Sequence, residues 1–180
     1  MQFALDDDTQ LLQRTVREFA RAEVAPVAGE LDRTKSFPYD LVSRMAGLGW
    51  MGIPFPESVG GAGGTTLQYA IAVEELTRVD SSVAITLCAH TSLGTQPIYL
   101  FGSDAQQEQW LPRLCSGEIL GAFGLTEPEA GSDAGNTKTR AVLRDDHWVI
   151  NGAKQFITNA GTDISGVVSL TATTGGAAGD

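Results

Sequence analysis

The chain has 180 residues, 42% of them hydrophobic, and a formal net charge of −10 at pH 7. This length suits one ordinary domain or two small ones, and the lack of any run of Lys or Arg argues against a nucleic-acid partner, which would need a basic stripe. No apolar run approaches the roughly 18 residues of a membrane span, and residues 1–8 lack the basic and apolar regions of a signal peptide, so we expect a cytoplasmic protein without membrane insertion.

The first predicted helix begins at Asp6–Asp8, because acidic residues complement the positive end of a helix dipole. Leu12, Val16 and Phe19 then recur with helical spacing and form one apolar face. Pro26 is expected to break or kink this helix, since a proline inside a helix removes a hydrogen bond and crowds the preceding turn. A shorter helix is expected to continue beyond it.

The next helix is predicted to start near Pro38, which is tolerated in a first turn. Leu41, Met45 and Leu48 share its apolar stripe. Residues 54–64 follow, and their many Gly and Pro residues predict a loop. This loop lacks the lysine and the strand context of a phosphate-binding P-loop, so that function is excluded.

Two capping boxes predict further helix starts. Thr65 is followed by Gln68, and Ser103 by Gln106, which is the spacing at which side chain and backbone cap each other. Between them, Ser81–Leu100 is apolar nearly all round. A helix of that kind is usually buried between others.

Three side chains in these helical segments could carry chemistry. Cys88 and Cys115 are too few for a disulfide framework, and we expect both to be buried reduced thiols. His90 lies beside Cys88 in an apolar pattern, and a histidine there is expected to belong to the core or to line a pocket. No cluster of His, Cys, Asp and Glu has the spacing of a metal site, and no metal is expected.

The pattern changes to strands after the helical part, which indicates an α+β protein. Asp145-Asp146 is predicted as a turn between the alternating runs 137–143 and 147–150, and Asn151-Gly152 is a further, strong hairpin signal. We therefore predict an N-terminal helical domain, residues 1–117, and the start of an antiparallel β-barrel or sandwich domain, residues 118–180, with residues 173–180 as a loop. The predicted strands are 119–125, 137–143, 147–150, 153–158 and 166–172.

A polar turn follows the first predicted strand. Pro128 ends the strand, and Gly131-Ser132-Asp133 combines close backbone approach with a hydroxyl. Backbone amides in such a turn can form an anion-binding nest, so a phosphate is a reasonable ligand. A polar loop without a ligand is the alternative, and turn chemistry alone does not separate the two.

The whole chain resembles the acyl-CoA dehydrogenases. The most specific pieces are Leu125-Thr-Glu-Pro128 with Ala130-Gly-Ser-Asp133, followed by Asn151-Gly152 and Ile157-Thr-Asn159. Further pieces of the same resemblance are Val16–Ala20, Met45–Ile53, Pro56–Gly61, Glu74–Leu76, Phe101–Ser103 and Gly117–Glu118. The resemblance implies an FAD-dependent α,β-desaturation of an acyl-CoA thioester, and it implies that the family's C-terminal helical domain is absent from these 180 residues.

The resemblance also implies the residues that bind FAD. Leu125 and Thr126 would contact the pyrimidine side of the flavin, Gly131 and Ser132 its pyrophosphate, and Thr158 the region of N5. One departure is that Phe156 stands where many members carry Trp, which keeps the stacking surface and loses the indole N–H. The full implied set of FAD-binding residues is Phe123, Leu125, Thr126, Gly131, Ser132, Phe156, Ile157 and Thr158.

Substrate contacts are implied as well. Ser132 would touch the pantetheine arm of coenzyme A, and Thr86 and Ala89 would line the acyl-chain tunnel, where the small Ala89 would leave room for a longer or branched chain. The catalytic base of the family is a Glu from a later helical region, so no catalytic residue is expected in this chain. The three acids of the first motif are expected to have structural or exposed roles, and these are Glu127, Glu129 and Asp133.

Three functions stay open at this point. The leading one is an acyl-CoA dehydrogenase that passes electrons to an electron-transferring flavoprotein and forms a homo-oligomer, a tetramer or a dimer, as the resemblance implies. An acyl-CoA oxidase-like flavoenzyme of the same fold would instead pass electrons to oxygen. The third is a catalytically inactive fragment or binding module, because we expect the 180 residues alone to lack the base and thus activity.

Overall fold

The computed structural model describes residues 4–175 and is helical up to residue 115. Residues 1–3 and 176–180 lie outside the described part, so the predicted loop over 173–180 is described only to 175. The α-helices are α1 (Asp7–Phe19), α2 (Ala25–Thr34), α3 (Tyr39–Gly47), α4 (Thr66–Thr77), α5 (Ser81–Cys88), α6 (Gln96–Phe101) and α7 (Asp104–Cys115).

The first helix begins where the acidic cluster predicted it. Asp6 caps α1 by accepting a 2.7 Å hydrogen bond from the Thr9 amide. The expected break at Pro26 does not occur. The chain stays helical from α1 to α2 through a π-helical turn, Ala20–Val24. Pro26 lies in the first turn of α2, directly after this π-helical turn.

Both predicted capping boxes are present. Thr65 and Gln68 cap α4, and Ser103 and Gln106 cap α7, each pair bonding in both directions. The stripe predicted for α3 is only partly correct: Leu41 and Met45 are buried, whereas Leu48 follows the helix end and is exposed. Cys115 is buried as predicted, while Cys88 is only half-buried, and both are free thiols.

The apolar segment predicted as one buried helix is three helical pieces. A π-helical turn, Ala89–Thr95, separates α5 from α6. The burial prediction holds for one side of this segment, because Ile85, Leu93 and Leu100 are exposed. None of the helices described between residues 4 and 175 combines the length and apolar character that a membrane crossing needs.

The α+β class is confirmed, and the strands form two separate pairs. In the described residues the strands are β1 (Leu120–Gly124), β2 (Arg140–Arg144), β3 (His147–Asn151) and β4 (Ser165–Leu170). β2 and β3 are antiparallel, whereas β1 and β4 are parallel, so the expected antiparallel pairing holds for only one pair.

One predicted turn is correct, and two predictions for the residues after it are wrong. The turn predicted at Asp145-Asp146 is confirmed, since these residues connect β2 and β3 and Asp145 has a left-handed φ of 53°. The second hairpin turn, expected at Asn151-Gly152, is wrong, because β3 ends at Asn151 and no strand follows directly in the described residues. The segment 153–158, predicted to return as a strand, is irregular, because its polar groups bond to the loop after β1 and not to a strand.

β1 connects the helical part with the strands. Leu120 is fully buried and belongs to the same apolar core as residues of α1, α3, α4 and α5. Gly94 and Gly121 bring the π-helical turn and β1 so close that a Cβ at residue 94 would lie 2.3 Å from the Gly121 carbonyl carbon. This close approach fixes β1, and therefore the loop that follows it, against the helices.

Candidate functional site

The loop after β1 lies directly beside residues 154–155. The carbonyl oxygen of Leu125 accepts from Lys154 Nζ at 3.1 Å, and that of Thr126 accepts from the Gln155 amide at 2.9 Å. The next carbonyl, Glu127 O, accepts from Gln155 Nε2 at 3.2 Å. These bonds hold the loop after β1 against residues 154–155, directly before 156–158, and the resemblance places 123–126 and 156–158 in one binding site.

Glu127 is a buried ion-pair partner, with only 3% of its surface exposed. Its Oε1 accepts from Lys154 Nζ at 2.7 Å and from the Thr139 amide at 3.0 Å, and its Oε2 accepts from the Lys138 amide at 2.6 Å. The Lys154 ammonium is the main reason that the pKa of Glu127 is lowered to about 2. A carboxylate held ionised in this way is a poor proton acceptor near neutral pH, which fits the structural role expected for it.

The predicted phosphate-binding residues lie on the surface. A tight turn bonds Glu127 to Ala130 in both directions, and Gly131 and Ser132 follow it in exposed positions. A Cβ at Gly131 would have no protein atom within 4 Å. Protein packing therefore does not require glycine there, and the backbone is open to a ligand. Asp133 is exposed too.

Phe156 is the most exposed large aromatic side chain of this region, at 86%. Its φ of 59° is left-handed, which is uncommon for a bulky residue and typical of functional loops. The bond from the neighbouring Gln155 amide to Thr126 O holds the backbone just before Phe156 beside the loop after β1. Phe123, Ile157 and Thr158 are half-buried.

An open groove of about 370 Å³ brings Thr86 and Thr158 together. Asn159 closes it on one side, donating from Nδ2 to Thr86 O at 3.0 Å and to Gly121 O at 3.5 Å. Asn159 Oδ1 is buried and has no hydrogen-bond partner within residues 4–175. The other residues that line the groove are Leu31, Asp32, Lys35, Ser36, Phe37, Pro38, Ser82 and Ile85.

The remaining predicted substrate residue, Ala89, is not beside Thr86 in this groove. It is buried in the π-helical turn, at 4% exposure, and among the described residues it does not line the groove. The residue next to it, His90, is fully buried in the core, in agreement with the sequence-based expectation. The Gly121 amide donates to His90 Nδ1 at 3.1 Å, so Nδ1 is the acceptor and Nε2–H donates to Leu114 O at 3.1 Å.

Two residues of the site were missed as site residues by the sequence reasoning. Lys154 was assigned to a strand, and its partner Glu127 lies 27 positions earlier, which no local spacing rule would find. Asn159 belonged to a recognised motif without a role, and its left-handed φ of 70° is a conformation that Asn tolerates well.

Two family models match the chain. The acyl-CoA dehydrogenase N-terminal domain matches residues 6–118, and the acyl-CoA dehydrogenase middle domain matches residues 122–179. A probable acyl-CoA dehydrogenase, YngJ, of Bacillus subtilis is 47% identical over 97% of this chain and 46% of its own length. A short-chain-specific acyl-CoA dehydrogenase of Clostridium acetobutylicum is 50% identical over 89% of this chain and 42% of its own length. The chain thus spans less than half the length of these curated relatives.

Solved structures give the same result. Butyryl-CoA dehydrogenase from Megasphaera elsdenii has a TM-score of 0.91 and 40% identity, over 98% of this chain and 46% of that one. An acyl-CoA dehydrogenase from Bacillus anthracis complexed with FAD has a TM-score of 0.86 and 35% identity, over 94% and 30%. A chain in a structure of the electron transferring flavoprotein of Acidaminococcus fermentans has a TM-score of 0.86 and 43% identity, over 89% and 42%. On the match of the N-terminal domain over residues 6–118 and of the middle domain over residues 122–179, the chain belongs to the acyl-CoA dehydrogenase family.

Proposed function

We propose that the protein to which this chain belongs is an FAD-dependent acyl-CoA dehydrogenase. The single observation that carries the proposal is that both the N-terminal and the middle domain of that family match, in order, over residues 6–118 and 122–179. The reaction is the removal of two hydrogen atoms from Cα and Cβ of an acyl-CoA thioester. We also propose the division into a helical domain, 1–117, and the start of a β domain, 118–180, which the end of α7 at Cys115 supports.

The residues beside β1 fit a flavin. An isoalloxazine ring needs an apolar surface for its face and hydroxyl or amide donors for its polar edge. The exposed Phe156 ring offers the first, and the residue before it, Gln155, bonds through its amide to Thr126 O. Thr158 adds a hydroxyl at the adjoining groove. FAD bound here would supply the two-electron acceptor that the chain's own side chains lack.

The chain's own residues bind and orient, and do not take up the substrate proton. Gly131 and Ser132 present an exposed amide and hydroxyl that suit a pyrophosphate and the pantetheine arm. Thr86 and Thr158 line the groove that suits the acyl end. The buried acid of the first motif, Glu127, is bonded to Lys154 and two backbone amides. The base is therefore proposed to come from outside this chain segment.

The substrate and the partners are proposed from the relatives. Similarity to a short-chain-specific enzyme and to a butyryl-CoA dehydrogenase favours short acyl-CoA thioesters as the first to test. Whether the small Ala89 admits a longer or branched chain stays a prediction. The match to a chain in an electron transferring flavoprotein structure favours such a flavoprotein as electron acceptor. A homo-oligomer, tetramer or dimer, is proposed on family membership.

The test is an anaerobic titration of the protein, purified at its full encoded length, with short acyl-CoA thioesters. Flavin absorbance at about 450 nm should be present and should bleach on addition of substrate, because the bound cofactor is reduced. Lack of any flavin band would refute the proposal. Rapid turnover with oxygen as the sole acceptor would replace the dehydrogenase by the oxidase-like alternative.

A further inference from the structure

Lys154 joins three parts of the β region at one buried point. Its ammonium donates to Leu125 O at 3.1 Å, to Glu127 Oε1 at 2.7 Å and to Thr171 Oγ1 at 3.1 Å. A lysine has three N–H donors, so all of them are used. The Lys154 side chain is 12% exposed and that of Glu127 is 3% exposed. Such a fully bonded, buried pair holds its neighbours in one geometry.

The bond from Lys154 to Leu125 O fixes the orientation of the peptide plane between Leu125 and Thr126. A trans peptide places its carbonyl oxygen and its N–H on opposite sides. Because Leu125 O points to Lys154, the Thr126 N–H points away from Lys154. The next carbonyl, Thr126 O, is fixed by the Gln155 amide at 2.9 Å. Both peptide planes around Thr126 are therefore set by residues 154–155.

A glycine makes the approach of Lys154 possible. The Lys154 side chain crosses Gly124, the last residue of β1, and a Cβ at Gly124 would lie 3.1 Å from Lys154 Cγ. On the other side that Cβ would meet Leu170 of β4 at 3.3 Å. The lysine side chain thus lies against the end of β1, and its ammonium reaches Leu125 O on the side of the peptide opposite to the Thr126 N–H.

We infer that Lys154 is a positioning residue for the flavin edge: by holding Leu125 O it presents the Thr126 N–H to the bound ring. The inference rests on the proposed function, since it assumes that FAD binds beside Thr126. It gives Lys154 two separable tasks. The ion pair with Glu127 stabilises the fold, whereas the bond to Leu125 O orients a donor for the cofactor.

A double-mutant cycle separates these tasks in the protein at its full encoded length. The variants are Lys154→Met, Glu127→Gln and the double variant, with Lys138→Met as matched control. Lys138 is exposed, and its ammonium bonds only to Asn136 Oδ1 among the described contacts, at 2.7 Å. The measurements are the dissociation constant for FAD, the shape of the visible flavin spectrum, the flavin midpoint potential and the thermal unfolding midpoint.

Lys154→Met is expected to weaken FAD binding by about tenfold and to alter the spectrum, as loss of one positioning contact typically does. The same loss is expected in the Glu127→Gln background, where no buried carboxylate is left unpaired. Lys138→Met should bind FAD within about twofold of the parent.

Two results would overturn the inference. Lys154→Met could leave FAD binding, spectrum and potential unchanged, or its effect could vanish once Glu127 is Gln, which would reduce Lys154 to an ion-pair partner. If the parent protein itself binds no FAD, the proposed function fails first, and the two failures are thus distinguishable.

Discussion

The buried histidine predicts an acid-sensitive fold. His90 accepts a bond from the Gly121 amide at Nδ1 and donates from Nε2 to Leu114 O, which requires the neutral ring. Burial lowers the pKa of His90 to about 4 from 6.5. Between these two values the unfolded chain binds a proton that the folded chain does not. The stabilising effect is therefore complete above pH 6.5 and is lost as pH falls towards 4.

The magnitude follows from the difference between the two pKa values. Each unit corresponds to about 1.4 kcal/mol, so about 3 kcal/mol of the free energy of unfolding should be lost between pH 7 and pH 4 through His90 alone. The assay is urea unfolding of the wild type and of His90→Gln at several pH values in this range. The difference in free energy between the two should change by about 1.4 kcal/mol per pH unit below pH 6.

Two comparisons isolate the effect. His147→Gln removes the other histidine, on the exposed β2–β3 hairpin, and should keep the steep wild-type slope. Glu127, whose pKa Lys154 lowers to about 2 from 4.5, loses its stabilising effect only as pH falls below 4.5. Parallel curves for the wild type and His90→Gln from pH 7 to 4.5 would refute the assignment of a neutral, doubly bonded His90.

Three further substitutions have expected outcomes. Gly94→Ala should lower the free energy of unfolding by about 1–3 kcal/mol, since its Cβ would meet β1 backbone, whereas Gly29→Ala, with open space around it, should not destabilise; thermal unfolding of both variants is the check. Asn159→Ala should cost about 2 kcal/mol and Asn159→Gly about 1 kcal/mol in urea unfolding, because only Ala adds left-handed strain to the lost hydrogen bond, and equal effects would contradict this. Phe156→Ala should weaken FAD binding by about tenfold with little change in stability, while the equally exposed Phe101→Ala should leave FAD binding within about twofold.

The helical part was predictable because its signals are local. The cap at Asp6 and the boxes at Thr65 and Ser103 act within three or four residues of the chain, and each is present. The helix break expected at Pro26 does not occur, because the π-helical turn just before the proline changes the hydrogen-bond pattern there and the chain stays helical. Sequence patterns rarely indicate such a turn, since it depends on packing around it.

The strand prediction for residues 153–158 failed because this segment bonds to a loop and not to a neighbouring strand. The predicted turn at Asp145-Asp146 connects β2 and β3, whereas Asn151-Gly152, which has the composition of a two-residue hairpin turn, ends β3 without a return strand. After residue 152, Lys154 and Gln155 bond to consecutive carbonyls of the loop behind β1. Residues 154–155 therefore donate hydrogen bonds to loop carbonyls and do not pair with a strand, although the composition of this segment is typical of a strand.

The acids of the first motif show why a site needs its long-range contacts. Glu127 and Glu129 stand two positions apart around one proline, and no local rule makes them different. One is buried and bonded to Lys154, and the other is exposed. The tight turn from Glu127 to Ala130 sends the two side chains into different surroundings. The bond partner that keeps Glu127 buried and ionised is thus 27 positions away in the sequence. The motif alone predicts the binding site, but it does not reveal this contact, which holds the loop in its conformation.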